Sequence, residues 1–94
     1  MHDVLITNVT IVDGTGSPPT QGDVATKDGR IAGVTTNSSS KSPETQARRT
    51  IDGAGKMLCP GFIDIHTHSD LTLIEDGRGE SKLRQGVTTE VVGN

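Results

Sequence analysis

The sequence predicts a mainly β-stranded first part followed by a strand–helix–strand unit. Short runs of Val, Ile, Leu and Thr, which suit half-buried strands, recur through residues 3–59 and are separated by turn residues. After Pro60 an apolar strand, two short helical stretches and a β-branched strand follow within about 30 residues, which is typical of a βαβ unit. The 94 residues leave room for one small domain or for part of a larger one.

The first part contains most of the predicted strands. Asp28-Gly29 between two apolar runs predicts a β-hairpin with a type I′ turn, because that turn needs a positive φ at both central residues. Residues 13–19 are predicted to be a turn and loop, since they contain two glycines and two prolines, and residues 36–47 form a polar loop or linker. Strands are predicted at residues 3–7, 9–12, 23–26, 30–34, 49–52 and 56–59.

The second part begins with a strand predicted at residues 62–66. Its apolar residues occupy both faces, as in a strand that is covered on both sides of a sheet. Short helices are predicted at residues 71–75 and 80–85, with Gly86 ending the second, and a β-branched strand at residues 87–92.

Composition excludes several classes of function. A net charge of −3 argues against an electrostatic nucleic-acid binder, and no apolar run approaches the roughly 18 residues that cross a membrane. With a single aromatic residue, Phe62, the core must be built from Val, Ile and Leu. The first residues lack the basic and apolar segments of a secretory signal, and the single Cys59 fits a reducing compartment. We therefore expect a cytoplasmic protein without nucleic-acid or membrane partners.

Two histidines at the end of the strand at residues 62–66 are the main candidates for chemistry. Alternate residues of a strand point to the same face, so Asp64, His66 and His68 share one face if the strand extends that far. Imidazole is a good ligand for Zn²⁺ and similar divalent ions. Asp64 and Asp70 are near enough to be further ligands or to hold a ring N–H. Exposed histidines at the entrance of a loop would explain the same pattern.

Several ordered motifs resemble the amidohydrolase superfamily. Within it, Asp13–Pro19 together with Gln85–Asn94 is most similar to the D-aminoacylases, the N-acyl-D-amino-acid deacylases. The resemblance extends over nearly the whole chain, with the serine-rich loop at residues 36–47 matching least. The other motifs that carry it are Asp3–Ile6, Asp28–Ile31, Ile51–Gly55 and Pro60–His68.

This resemblance implies a metal-dependent TIM-type (β/α)₈ barrel that carries a small β-sandwich. Residues 1–59 would be part of the sandwich, and residues 60–94 would be the first strand, helical connection and second strand of an incomplete barrel. His66 and His68 would bind Zn²⁺ or another divalent metal. The small-molecule substrate would be an N-acyl-D-amino acid, whose amide bond is hydrolysed.

The resemblance also implies that much of the catalytic machinery lies outside these 94 residues. In the family a metal-binding cysteine follows the Gly-Asn at residues 93–94, and the remaining ligands and the catalytic acid/base come later. The tight metal site uses that cysteine and later histidines, which leaves His66 and His68 to a weaker second site. We therefore expect an N-terminal fragment that is inactive and poorly stable alone, with no catalytic acid or base of its own.

Two other interpretations stay open at this point. The chain could be a small β-rich binding or structural module without catalysis. It could also belong to a related amidohydrolase such as a dihydroorotase, hydantoinase or deaminase, although these normally lack the sequence at residues 86–94.

Overall fold

The computed structural model describes residues 1–36 and 46–93, apart from the side chains of Asp70 and Leu71. These residues belong to two compact units, Met1–Pro60 and Gly61–Asn94. Most of the predicted loop at residues 36–47 lies outside the described residues. The strands and helices, in chain order, are β1 (His2–Ile11), β2 (Thr20–Lys27), β3 (Arg30–Thr36), β4 (Ala47–Asp52), β5 (Met57–Leu58), β6 (Phe62–Asp64), α1 (Asp70–Glu75), α2 (Glu80–Arg84) and β7 (Val87–Glu90).

The first unit is a five-stranded mixed sheet built around β1. The sheet order is β3-β2-β1-β4, and β5 also pairs with β1. β2 is antiparallel to β1 and to β3, whereas β4 and β5 are parallel to β1. β4 pairs with the first half of β1 and β5 with its end, so the two short strands follow one another along the same edge. The mainly β character predicted for this part is confirmed.

β1 is one strand where the sequence predicted two. Asn8, at the predicted break, has a φ of 57° and donates its backbone N–H to Asp23 Oδ1 at 2.9 Å. The pairing with β2 shifts its register between Ile6 and Val9. A local bulge therefore absorbs the irregularity, and the strand continues through Asn8 instead of ending there.

The predicted hairpin is confirmed. β2 and β3 pair from Lys27↔Arg30 at the turn to Gly22↔Thr36 at the far end. The two turn residues, Asp28 and Gly29, have φ values of 51° and 73°. Both values are positive, as a type I′ turn requires.

The core of this unit is small and aliphatic. Val9, Ile11 and Val24 are buried together, and the partly buried side chains of Ile6 and Leu58 pack against them. The predicted core of Val, Ile and Leu is therefore found.

The second unit is a parallel pair of strands joined by two short helices. β6 pairs with β7 in parallel, beginning at Phe62↔Val87, as the βαβ pattern predicts. The strands are shorter than predicted, since β6 ends at Asp64 and β7 at Glu90. Gly86 has a φ of 89° and donates its N–H to the Leu83 carbonyl, which confirms its role at the end of α2. Among the described helices, none has both the length and the apolar composition to span a membrane.

Candidate metal centre

The candidate site lies where β6 ends, and Asp64 explains why it ends there. The Asp64 carboxylate Oδ1 accepts the backbone N–H of His66 at 3.2 Å. This is an Asx turn, in which a side chain takes a backbone donor that would otherwise pair with a neighbouring strand. The expectation that the strand continues through residue 66 is therefore wrong, and strand alternation does not align the two histidines.

The turn nevertheless brings the imidazoles of His66 and His68 together. Their ring centroids are 5.0 Å apart, with the ring planes at 88°. Thr67, between them, is buried (8% exposed), whereas both histidines are exposed. Its N–H donates to the Val91 carbonyl at 3.3 Å, and its hydroxyl is 2.8 Å from that of Ser69. The anchored threonine thus leaves a histidine exposed on each side.

The ring separation fits a shared divalent ion. Two imidazoles bound to one tetrahedral zinc ion at Zn–N distances of about 2.0–2.1 Å have centroids about 5 Å apart. Within residues 1–36 and 46–93, however, no cluster of three or more His, Cys, Asp or Glu side chains is placed to hold a metal. The pair thus has the separation that two ligands of one ion would have, and other donors would be needed to complete a site.

Asp64 contacts a lysine that the sequence did not single out. Lys82 Nζ in α2 is 2.5 Å from Asp64 Oδ2, and the Asp64 side chain is half-buried. The Lys82 ammonium, followed by the His66 N–H, lowers the pKa of Asp64, and the same contact raises the pKa of Lys82. Asp64 was expected to be a further ligand or the partner of a ring N–H. Its carboxylate contacts Lys82 and the His66 backbone, and the charge of the His66 side chain also lowers the pKa of Asp64.

Asp70, the other predicted acidic residue, is the first residue of α1, but its side chain lies outside the described part. Glu90, at the end of β7, was also missed by the sequence analysis. Its Oε2 is buried without a hydrogen-bond partner among the described residues, and its charge favours the protonated form of Lys82. The hydrophobic pattern would place Leu83 inside and Lys82 outside, but the structure has the reverse, with Lys82 less exposed than Leu83. The pattern therefore could not have indicated Lys82.

Comparisons with known proteins extend over the whole chain. No protein-family model matches the sequence. An N-acyl-D-aspartate deacylase from Alcaligenes xylosoxydans xylosoxydans is 41% identical over 92 residues, which cover 98% of this chain and 18% of the relative.

Two solved structures show the same similarity. D-aminoacylase, in a study of its binuclear metal centre, superposes with a TM-score of 0.87 at 42% identity, covering 100% of this chain and 19% of that one. N-acyl-D-glutamate deacylase from Bordetella bronchiseptica, complexed with zinc and a phosphonate inhibitor, has a TM-score of 0.85 at 42% identity. The superposition covers 99% of this chain and 19% of the N-acyl-D-glutamate deacylase.

The chain thus spans less than a fifth of the length of the relatives it matches. Over nearly all of its own length, sequence and backbone agree with D-amino-acid deacylases. Over its whole length the chain is therefore similar to part of the D-aminoacylases and related N-acyl-D-amino-acid deacylases, which are amidohydrolases.

Proposed function

We propose that these 94 residues form the N-terminal part of a metal-dependent hydrolase that acts on non-peptide carbon–nitrogen bonds and deacylates N-acyl-D-amino acids. The observation that carries the proposal is the pair of imidazoles, 5.0 Å apart, directly after a strand of a parallel pair. In parallel α/β folds, active sites lie at the carboxyl ends of the strands. The deacylase relatives supply the reaction and the small-molecule substrate class.

The same proposal assigns the two parts of the chain. Residues 1–59 would contribute to a β-sandwich, and residues 60–94 would be the first strand, helical connection and second strand of a (β/α)₈ barrel. The parallel pairing of β6 with β7 through α1 and α2 supports this assignment, because such barrels are built from repeated units of this kind.

His66 and His68 would hold Zn²⁺ or another divalent ion. When bound, such an ion polarises the substrate carbonyl and lowers the pKa of water. The contribution of this chain is positional: Thr67 is fixed to Val91, so the imidazoles on either side are presented at the end of β6. Both rings are exposed, which leaves room for a substrate or for protein segments that complete the site.

The 94-residue chain would be inactive alone. Two histidines are one fewer than the three protein ligands that catalytic zinc usually has. No residue described here is assigned as the catalytic acid or base. The chain also spans only 18% of the N-acyl-D-aspartate deacylase.

Cobalt titration of the 94-residue chain tests the metal ligands. Co²⁺ reports its ligands through its visible absorption, and the variants are His66→Ala and His68→Ala. Each should weaken Co²⁺ binding at least about tenfold, because each removes one of two protein ligands. His2→Ala is the matched control, since it removes a histidine of the other unit and should bind as the wild type does.

Two results would count against the proposal. A wild-type chain that does not bind Co²⁺, or one that loses binding equally in His2→Ala, would count against His66 and His68 as metal ligands. Hydrolysis of N-acetyl-D-glutamate by the purified chain, measured as glutamate released, would refute the inactivity of the chain alone.

A further inference from the structure

We infer, on the basis of the proposed function, that Lys82 is a positioning residue for the His66–His68 pair and that it acts through the Asp64 carboxylate. The effect passes from α2 to the end of β6 through one ion pair and one backbone hydrogen bond.

The two oxygens of Asp64 have different partners. Oδ1 accepts the His66 N–H at 3.2 Å, and Oδ2 is 2.5 Å from Lys82 Nζ. A carboxylate held at one oxygen only can rotate about its side-chain bonds and lose that contact. With Lys82 in place, rotation would break both contacts, so the lysine fixes the oxygen that holds His66.

A second set of hydrogen bonds holds the rest of the turn. The Asp64 carbonyl accepts the Val91 N–H at 2.8 Å, and the Val91 carbonyl accepts the Thr67 N–H at 3.3 Å. These bonds anchor Thr67 without the lysine. Loss of Lys82 should therefore release the His66 end of the turn while the connection between Thr67 and Val91 stays formed.

Burial separates this ion pair from the other well-formed pair of the unit. The side chains of Lys82 and Asp64 are 42% and 23% exposed, whereas those of Arg78 and Asp76 are 71% and 51% exposed. Exposed pairs contribute little to structure, and removal of one partner costs more where the other partner is less exposed to water. Arg78 also holds Asp76, but no described contact links that pair to a histidine.

Nuclear magnetic resonance of the metal-free chain tests the inference. The variants are Lys82→Met, which keeps an unbranched side chain but removes the charge, and Lys82→Arg, which keeps the charge. Arg78→Met is the matched control. Wild type, Lys82→Arg and Arg78→Met should show nuclear Overhauser contacts between the rings of His66 and His68. Lys82→Met should lose these contacts while keeping those between β6 and β7, and its Co²⁺ affinity should fall about tenfold or more.

Three results would overturn the inference. The first is a wild type whose His66 and His68 rings show no mutual contacts, and the second is a Lys82→Met variant that keeps these contacts. The third is a Lys82→Met variant that loses the β6–β7 contacts together with the ring contacts, which would give the ion pair a purely structural role. Failure of the proposed function looks different: ring contacts would depend on Lys82, but the wild-type chain would bind no Co²⁺.

Discussion

Gly22 should be the glycine of the first sheet that is least tolerant of a side chain. A Cβ built on it would lie 1.9 Å from the Thr35 carbonyl oxygen and 2.9 Å from the Thr35 carbonyl carbon. Those atoms belong to the backbone of β3, so β3 would have to withdraw by about 1 Å, as in an overpacked core. We expect Gly22→Ala to cost about 3 kcal/mol, from about 1 kcal/mol for each of two weakened strand hydrogen bonds and the remainder from strain.

Gly33 provides a matched control in the same hairpin. It pairs with Ala25, and a Cβ on it would meet nothing within 4 Å. Because alanine restricts the unfolded chain more than glycine does, Gly33→Ala should be neutral or should stabilise the fold by about 0.4–1 kcal/mol.

Urea denaturation followed by circular dichroism measures both variants. At a slope of about 1–3 kcal/mol/M, a loss of about 3 kcal/mol lowers the urea midpoint by roughly 1–3 M, which makes the difference easy to detect. Equal free energies of unfolding for Gly22→Ala and Gly33→Ala would refute the close packing of β2 against β3.

Two further predictions concern the first unit. Val9 is 2% exposed, so Val9→Ala should lower the free energy of unfolding by about 2 kcal/mol through lost burial and a cavity. Val34 is 51% exposed, so Val34→Ala should change the free energy of unfolding by less than about 0.5 kcal/mol. Equal losses of the two variants in urea denaturation would contradict the assigned core. The Thr15 hydroxyl and then its N–H lower the pKa of Asp13, so the stabilisation from Asp13 is complete above the pKa of the unfolded chain and is lost as the pH falls through the lower folded-state pKa. Thr15→Ala should raise the pKa of Asp13 toward its ordinary value in a carbon-13 titration, and an unchanged pKa would show that the hydroxyl bond is not formed in solution.

Local chemistry explains which parts of the fold could be predicted. Asp28-Gly29 fixed a hairpin because both residues accept a positive φ, and Gly86 marked the end of α2 for a similar reason. The helices and the parallel strands of the second unit followed from residue type and spacing. The hairpin turn and the helix end depend on residues that are close in the sequence, and the parallel pair follows from the order of strand, helix and strand.

Contacts between distant residues explain the failures. The continuity of β1 depends on the bond from Asn8 to Asp23, 15 residues away, and nothing in the local sequence indicates it. Likewise, His66 and His68 were singled out correctly as neighbours, but for a reason that does not hold, since β6 ends at Asp64. The Asp64–Lys82 contact joins residues 18 positions apart, so no short sequence motif contains both and the lysine could not be predicted.

The central position of β1 has a consequence for synthesis on the ribosome. Its antiparallel partner β2 follows soon after it, but β4 and β5 come at residues 47–52 and 57–58. At translation speeds of about 5–20 residues per second, the edge of β1 that pairs with them waits roughly 2–10 s for its partners. Among the described strands of this sheet, β1 is thus translated first and gains its last partner only when β5 is made, and a chaperone that recognises open strand edges has those seconds in which to bind the nascent polypeptide.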